Sequence, residues 1–138
     1  LLLRGNLSSI EISRKLAKKY FQKGYNCAQS VMLSASKALG VHVPAGVVES
    51  ASAFSGGIGR SGCLCGALAG AVMLIGYFSP KNEKEASEFF QIFKEKFQSS
   101  CCRVLRSDMD FEDPAVRKHC AKITEETAVL LVKFLSGD

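Results

Sequence analysis

Six cysteines, Cys27, Cys63, Cys65, Cys101, Cys102 and Cys120, are the residues of this chain best suited to chemistry. They are about 4% of its residues, below the ~8–10% of a disulfide scaffold in a short secreted protein. No Cys-x-x-Cys pair occurs, so the spacing is wrong for a classical zinc ribbon. Each thiol can be read as a small buried hydrophobe or as part of a redox or metal site inside an ordinary core. Position separates the two readings. Cys27 follows the cap residue Asn26 and falls at the first position of a helix. Unpaired N–H groups and the positive end of the helix dipole favour a thiolate there, the form that acts as nucleophile and metal ligand. Cys65 sits where a glycine-rich loop joins an apolar run. Cys102 follows a phenylalanine-rich helix. Cys120 shares a face with Ile123, Thr127, Leu130, Leu131 and Phe134.

Four thiols from separate parts of the chain, each on a core-directed face or beside a glycine-rich turn, can converge on one site. Four thiolates suit an iron–sulfur cluster or tetrahedral zinc. Two separate pairs would suit dithiol–disulfide exchange. Adjacent cysteines on a helix point about 100° apart, so only one of Cys101 and Cys102 should face a given site. His42 lies in a connector before Pro44 and is expected to be exposed. His119 should point away from the face that carries Cys120. No Ser–His–Asp or paired-carboxylate arrangement is suggested, so hydrolytic chemistry has little support. Whether the chain is an enzyme stays open.

The elements that must position these thiols read as helices. Ser8 and Glu11 form a capping box. Ile12, Leu16, Ala17, Tyr20 and Phe21 follow at helical spacing, and Gly24 ends the helix. Asn26 with Gln29 is a second box, ahead of a buried stripe of Val31, Met32, Ala35 and Leu39, closed by Gly40. Pro44 suits the first turn of a third helix bearing Val47, Val48, Ala51 and Phe54. A fourth helix is expected from about Cys63 to Phe78. Asn82 with Glu85 is a third box, opening a helix with Ala86, Phe89, Phe90, Phe93 and Phe97 on one side. That aromatic stripe reads as core. Ser107–Asp113 reads as a polar, acidic loop, and Asp113-Pro114 starts the last helix. No segment alternates at period two.

The stretch Ser55–Gly76 stands out. Its glycines at 56, 57, 59 and 62 permit backbone conformations with positive φ. The match at Gly57–Gly62 to a dinucleotide loop follows no strand and is rejected. Small residues from Gly66 to Ala71 then let other helices approach closely. The apolar run Leu64–Phe78 has 15 residues, short of the ~18–20 that span a bilayer. It reads as a buried helix. Gly57, Gly59, Gly66 and Gly70 are the glycines expected to border a cofactor, through backbone N–H groups that reach cluster sulfurs and through close helix packing.

Composition bounds the rest. The chain has 138 residues, 47% hydrophobic and 22% charged, with a formal net charge of +5. One domain covering residues 1–138 is expected, large enough to fold without disulfides. The basic groups, among them Arg14, Lys15, Lys18, Lys19 and Lys23, then Arg103, Arg106, Arg117, Lys118 and Lys122, read as solvated helix faces. Nucleic-acid binding is not expected, because aromatic interleaving and recognised signatures are missing. No membrane span is expected. The expected location is the cytoplasm, with a trimmed export signal left open.

The residues resemble a family of redox proteins named for its C…GCAxxG…C…C pattern, over about Tyr25 to Leu131. The first cysteine stands in Tyr25-Asn26-Cys27-Ala28-Gln29-Ser30. The signature is Cys65-Gly66-Ala67-Leu68-Ala69-Gly70, preceded by Gly56-Gly57-Ile58-Gly59-Arg60. The third is Cys102 and the fourth Cys120. Cys63 and Cys101 fall outside the pattern. A similar domain occurs beside a haem domain in split-Soret-type cytochromes, where the four cysteines have been linked to an iron–sulfur site. With no Cys-x-x-Cys-His, this chain itself has no support for covalent haem. The resemblance implies redox thiols or metal ligands at Cys27, Cys65, Cys102 and Cys120. Taken together, the expectation is an all-α, single-domain bundle of five to six helices around a buried Gly/Ala-rich helix. Its four cysteines hold an iron–sulfur cluster and exchange electrons with a redox partner protein. The alternatives are a metal-free dithiol–disulfide protein and a structural zinc module, with a homodimer left open.

Overall fold

The computed structural model describes residues 7–107 and 109–137. The described chain is helical, with no strand among the described residues, as the all-α reading expects. Five long helices carry the architecture: α1 (Leu7–Gln22), α2 (Cys27–Ala38), α4 (Gly66–Phe78), α5 (Asn82–Phe97) and α7 (Pro114–Ser136). Two short ones fill the connections, α3 (Ala45–Ser50) and the single turn α6 (Cys102–Leu105). A 3-10 turn, Ala51–Phe54, extends α3.

Helix α4 is the buried centre, with Gly66 to Ala71 all out of solvent, and it packs on α2, α5 and α7. Helix α1 lies across α2 and α7. The apolar core joins Val31, Leu68, Leu74, Phe89, Phe93 and Leu131. Phe89 and Phe93 are fully buried, as the aromatic stripe requires. Each such burial contributes about 1.5–3 kcal/mol.

Two starts follow their local sequence closely. Asn26 Oδ1 accepts the Gln29 N–H at 2.8 Å, and Gln29 Oε1 accepts the Asn26 N–H at 3.2 Å. The Asn26 amide also donates to Ala51 O at 3.0 Å and Ser52 O at 3.1 Å, tying the 3-10 turn to the start of α2. Asp113 caps α7 by accepting the Ala115 N–H at 2.9 Å, with Pro114 in the first helical turn.

Four local expectations are corrected. Helix α1 already includes Ser8, so Ser8 does not act as its cap, and the residues before Leu7 lie outside those described. The buried face of α1 is Ser9, Ser13, Ala17 and Phe21, while Ile12 is 44% exposed. Small side chains on that face let α1 lie close to α2 and α7, and Ser13 Oγ donates to Ile10 O at 2.7 Å. Asn82 is already helical, and α5 has no side-chain cap. Helix α4 starts at Gly66 instead of Cys63, because the glycine-rich loop continues through Leu64 and leaves Cys65 as the N-cap.

Candidate functional site

The four signature cysteines line one cavity of about 220 Å³. Local structure explains how each arrives. The Asn26–Gln29 box fixes Cys27 as the first residue of α2. Cys65 occupies the N-cap position of α4, where its side chain makes no capping hydrogen bond. Cys102 opens α6. Cys120 lies nearly two turns inside α7, which runs unbroken from Pro114. Three of the four thiols thus stand at helix starts, where backbone N–H groups lack helical partners.

The loop between Phe54 and Gly66 is held by its own hydrogen bonds. Ile58 N–H reaches Cys63 O at 2.9 Å, and Gly59 N–H reaches Ala53 O at 2.9 Å. Gly57 has φ +87°, and a Cβ there would fall 2.6 Å from Cys63 N. Only glycine fits that turn. Two further bonds join the loop to α6 and the chain just ahead of it, Cys65 N–H to Ser100 O and Arg103 N–H to Gly62 O, both at 2.8 Å. They bring Cys65 and Cys102 to the same wall.

The four expected glycines divide. Gly57 and Gly66 line the cavity, and Gly59 and Gly70 are not among its lining residues. Gly66 and Gly70 instead set how closely α4 meets its neighbours. A Cβ on Gly66 would lie 3.4 Å from Cys27 Cβ, and one on Gly70 would lie 2.7 Å from Ala28 Cα.

Charge in the cavity is uneven. Cys27 is held below the ordinary thiol value, first by a hydrogen bond from Cys120 and against the opposing effect of burial. Thr124 and the Arg117 charge add to the lowering. Cys120 moves up for the reciprocal reason: it keeps the shared proton, and burial adds to the effect. Burial pushes the Cys65 thiol up to about 12, with the nearby Cys27 charge reinforcing it. Cys102 is also raised, first by burial, and a hydrogen bond with Arg106 partly offsets this. Like charges in one low-dielectric space disfavour each other's ionisation, so four thiolates there need cations.

Those cations were hidden in the sequence, where the arginines read as solvated faces. Arg60, Arg106 and Arg117 all border the cavity. Arg106 is only 8% exposed, and its Nε has no hydrogen-bond partner among the described residues. Its Nη1 donates to Met109 O. Its guanidinium stands 4.0 Å from the centre of the Phe111 ring, and that of Arg60 stands 4.5 Å from the same ring. Arg117 donates to Phe21 O at 3.0 Å. The one available signal for Arg106 was its place four residues after Cys102, one helical turn on. Phe111, inside the acidic loop, gave no signal. His42 and His119 are exposed and line no part of the cavity, as expected.

The donor type and the cavity volume suit a sulfur-ligated group of several atoms, but as they stand the thiols are not gathered closely enough to hold a single metal ion. Four thiols surround a volume many times that of one water. Inorganic sulfide or thiolate would supply an acceptor to the buried Arg106 Nε, which has none among the described residues. Among the described residues, no three or more His, Cys, Asp or Glu side chains are grouped to hold a metal ion. No described helix is long and apolar enough to cross a membrane.

These features define a helical protein in which four cysteines line one cavity. Residues 25–134 match the family model described as "Putative redox-active protein (C_GCAxxG_C_C)", and the chain belongs to that family. At the signature it reads Cys65-Gly66-Ala67, with cysteine and glycine in the opposite order to the family's name. No curated protein and no solved structure matches the chain.

Proposed function

We propose that this protein transfers electrons through an iron–sulfur cluster held by Cys27, Cys65, Cys102 and Cys120. The observation that carries the reading is that all four thiols line one cavity together with the buried, half-satisfied Arg106. The cluster would supply a one-electron couple. The protein's part is to bind it through thiolates, to balance its negative charge with Arg106, Arg117 and Arg60, and to limit water. Gly57 and Gly66 would let backbone approach the cluster closely. Gly59 and Gly70 would act one layer out, through the loop's own turn and the packing of α4 on α2. The test is anaerobic reconstitution with iron and sulfide. A brown protein with bound iron, labile sulfide and a reversible visible spectrum is expected, and each of C27S, C65S, C102S and C120S should lower the iron content. A colourless, iron-free protein would overturn the reading.

A second reading rests on Cys27 and Cys120 lining one cavity with their ionisation split between them, Cys27 lowered and Cys120 raised. It makes those two thiols a dithiol–disulfide couple without metal, Cys27 attacking and Cys120 resolving. Loss of two titratable thiols on oxidation, abolished in C27S, would favour it. Stoichiometric zinc in protein made with iron present, with no redox wave, would instead favour a structural zinc module.

A further inference from the structure

Cys63 and Cys101 lie outside the family pattern and outside the cavity lining. They are nevertheless neighbours. Their sulfurs are 3.6 Å apart, although 38 positions separate them in the chain. Both are free, Cys63 exposed and Cys101 half-buried.

Their meeting is held on both sides. The backbone bonds Arg103 N–H to Gly62 O and Cys65 N–H to Ser100 O bracket the pair, each at 2.8 Å. Arg103 Nη2 adds a bond to Ser61 O at 3.0 Å, and Ser61 Oγ donates to Cys63 O at 2.7 Å. On the other strand of chain, Cys101 N–H reaches Ser99 Oγ at 3.1 Å. A disulfide requires the sulfurs to close by about 1.6 Å, from 3.6 Å to the ~2.04 Å of an S–S bond. The segments that carry them are already joined.

We propose that Cys63 and Cys101 form a second redox site, a surface thiol–disulfide couple that exchanges with the disulfide of a partner molecule. The site is independent of whatever the cavity holds. In the forward direction Cys63, the more exposed thiol, attacks a partner disulfide. The partner's S–S bond breaks, one partner thiol leaves, and a mixed disulfide forms. Cys101 then attacks Cys63 in that mixed disulfide, and the second partner thiol leaves. The pair gives up two electrons and two protons, which end on the two partner thiols. In the oxidised state the new bond ties the loop that carries Cys65 to the turn that carries Cys102. The couple therefore latches two walls of the cavity without contributing a group to it.

The test uses the full chain equilibrated across glutathione buffers from reducing to oxidising. It is then acid-quenched, alkylated, digested with trypsin and mapped by mass spectrometry. Cys63 shares a tryptic peptide with Cys65, and Cys101 with Cys102, so single variants assign the bond. A cross-link between the two peptides with loss of two alkylatable thiols is expected. C63S and C101S should each abolish it, while C65S and C102S keep it. C63S and C101S should leave the iron content of reconstituted protein unchanged. Full alkylation of both thiols across the whole range would overturn the proposal. So would glutathione adducts without a cross-link, or a cross-link that survives in C63S or C101S. The mapping of the unaltered chain needs no variant to fold. A cavity that takes no iron would sink the cluster reading and leave this result untouched.

Discussion

The juxtaposition of Cys27, at the start of α2, with Cys120, inside α7, puts two interacting thiols in one cavity where those helices pack together. Its consequence is an unequal division of charge. Cys27 ionises below the ordinary thiol range, first because Cys120 donates to it, and burial only partly opposes this. Cys120 keeps its proton. In metal-free, reduced protein, Cys27 is expected to show a thiolate inflection below that of a free thiol. Alkylation rates followed against pH, with each peptide identified by mass, measure it. C120A removes the donor and should move the Cys27 inflection upward. An unchanged profile in C120A would show that the hydrogen bond is not the cause.

Gly70 and Gly76 lie on the same helix and should respond oppositely to alanine. A Cβ at Gly70 meets Ala28 Cα at 2.7 Å and its carbonyl carbon at 2.8 Å, both backbone atoms. One at Gly76 meets nothing within 4 Å. G76A should stabilise by about 0.5–1 kcal/mol, the usual gain of replacing a helical glycine. G70A should destabilise by roughly 1–3 kcal/mol through overpacking. G70L should in addition lower iron content as far as C65S does, because α2 must shift beside Cys27. Denaturant unfolding and iron analysis on the folded fraction check the series. Normal iron content in folded G70L would remove α4 packing from the account of the site.

How much of this was legible in the sequence follows from the range of the interactions. The Asn26–Gln29 box and the Asp113-Pro114 start were readable because both partners lie within a few residues. The need for small residues at Gly66 and Gly70 was readable from the absence of side-chain volume, though not the identity of the backbone opposite. Ile12 misled because α1 turns a face of serines inward, and a polar residue small enough for close packing looks like surface in a hydrophobic pattern. Arg106 misled for a related reason. Its charge read as solvated, and only the tertiary fold places it beside Phe111 and Cys102. The contact of Cys63 with Cys101 depends on loop hydrogen bonds that leave no periodic trace.

Arg106 offers a test of whether the cavity holds an anionic group. It is a nearly buried cation whose Nε has no partner among the described residues, and it lies beside Cys102. A nearby positive charge favours the reduced, more negative state of any bound couple. R106Q should therefore lower the reduction potential of reconstituted protein. The expected size is a few tens of millivolts, about what a ~1 kcal/mol charge interaction gives for one electron. R106K keeps the charge and loses the planar fork. It should hold the potential closer to the parent while retaining the group less firmly. Voltammetry with parallel iron analysis separates the two effects. Equal potentials in R106Q and the parent would deny Arg106 any electrostatic role.

Cys65 couples the site to stability at alkaline pH. Burial, assisted by the Cys27 charge, pushes its thiol up to about 12, against an ordinary value of 9.0 in the unfolded chain. Between those values the unfolded chain binds fewer protons than the folded one. Folding stability from this group is therefore complete below about pH 9 and is lost as pH rises toward about 12. The slope is at most about 1.4 kcal/mol per pH unit for one group. Other groups titrate in the same window, so the informative quantity is the difference between metal-free parent and C65A. That difference should shrink steadily above pH 9 as the parent loses its advantage. Denaturant melts of both proteins at intervals of pH measure it. Curves that stay parallel throughout would mean that Cys65 is less deeply desolvated than its place at the start of α4 requires.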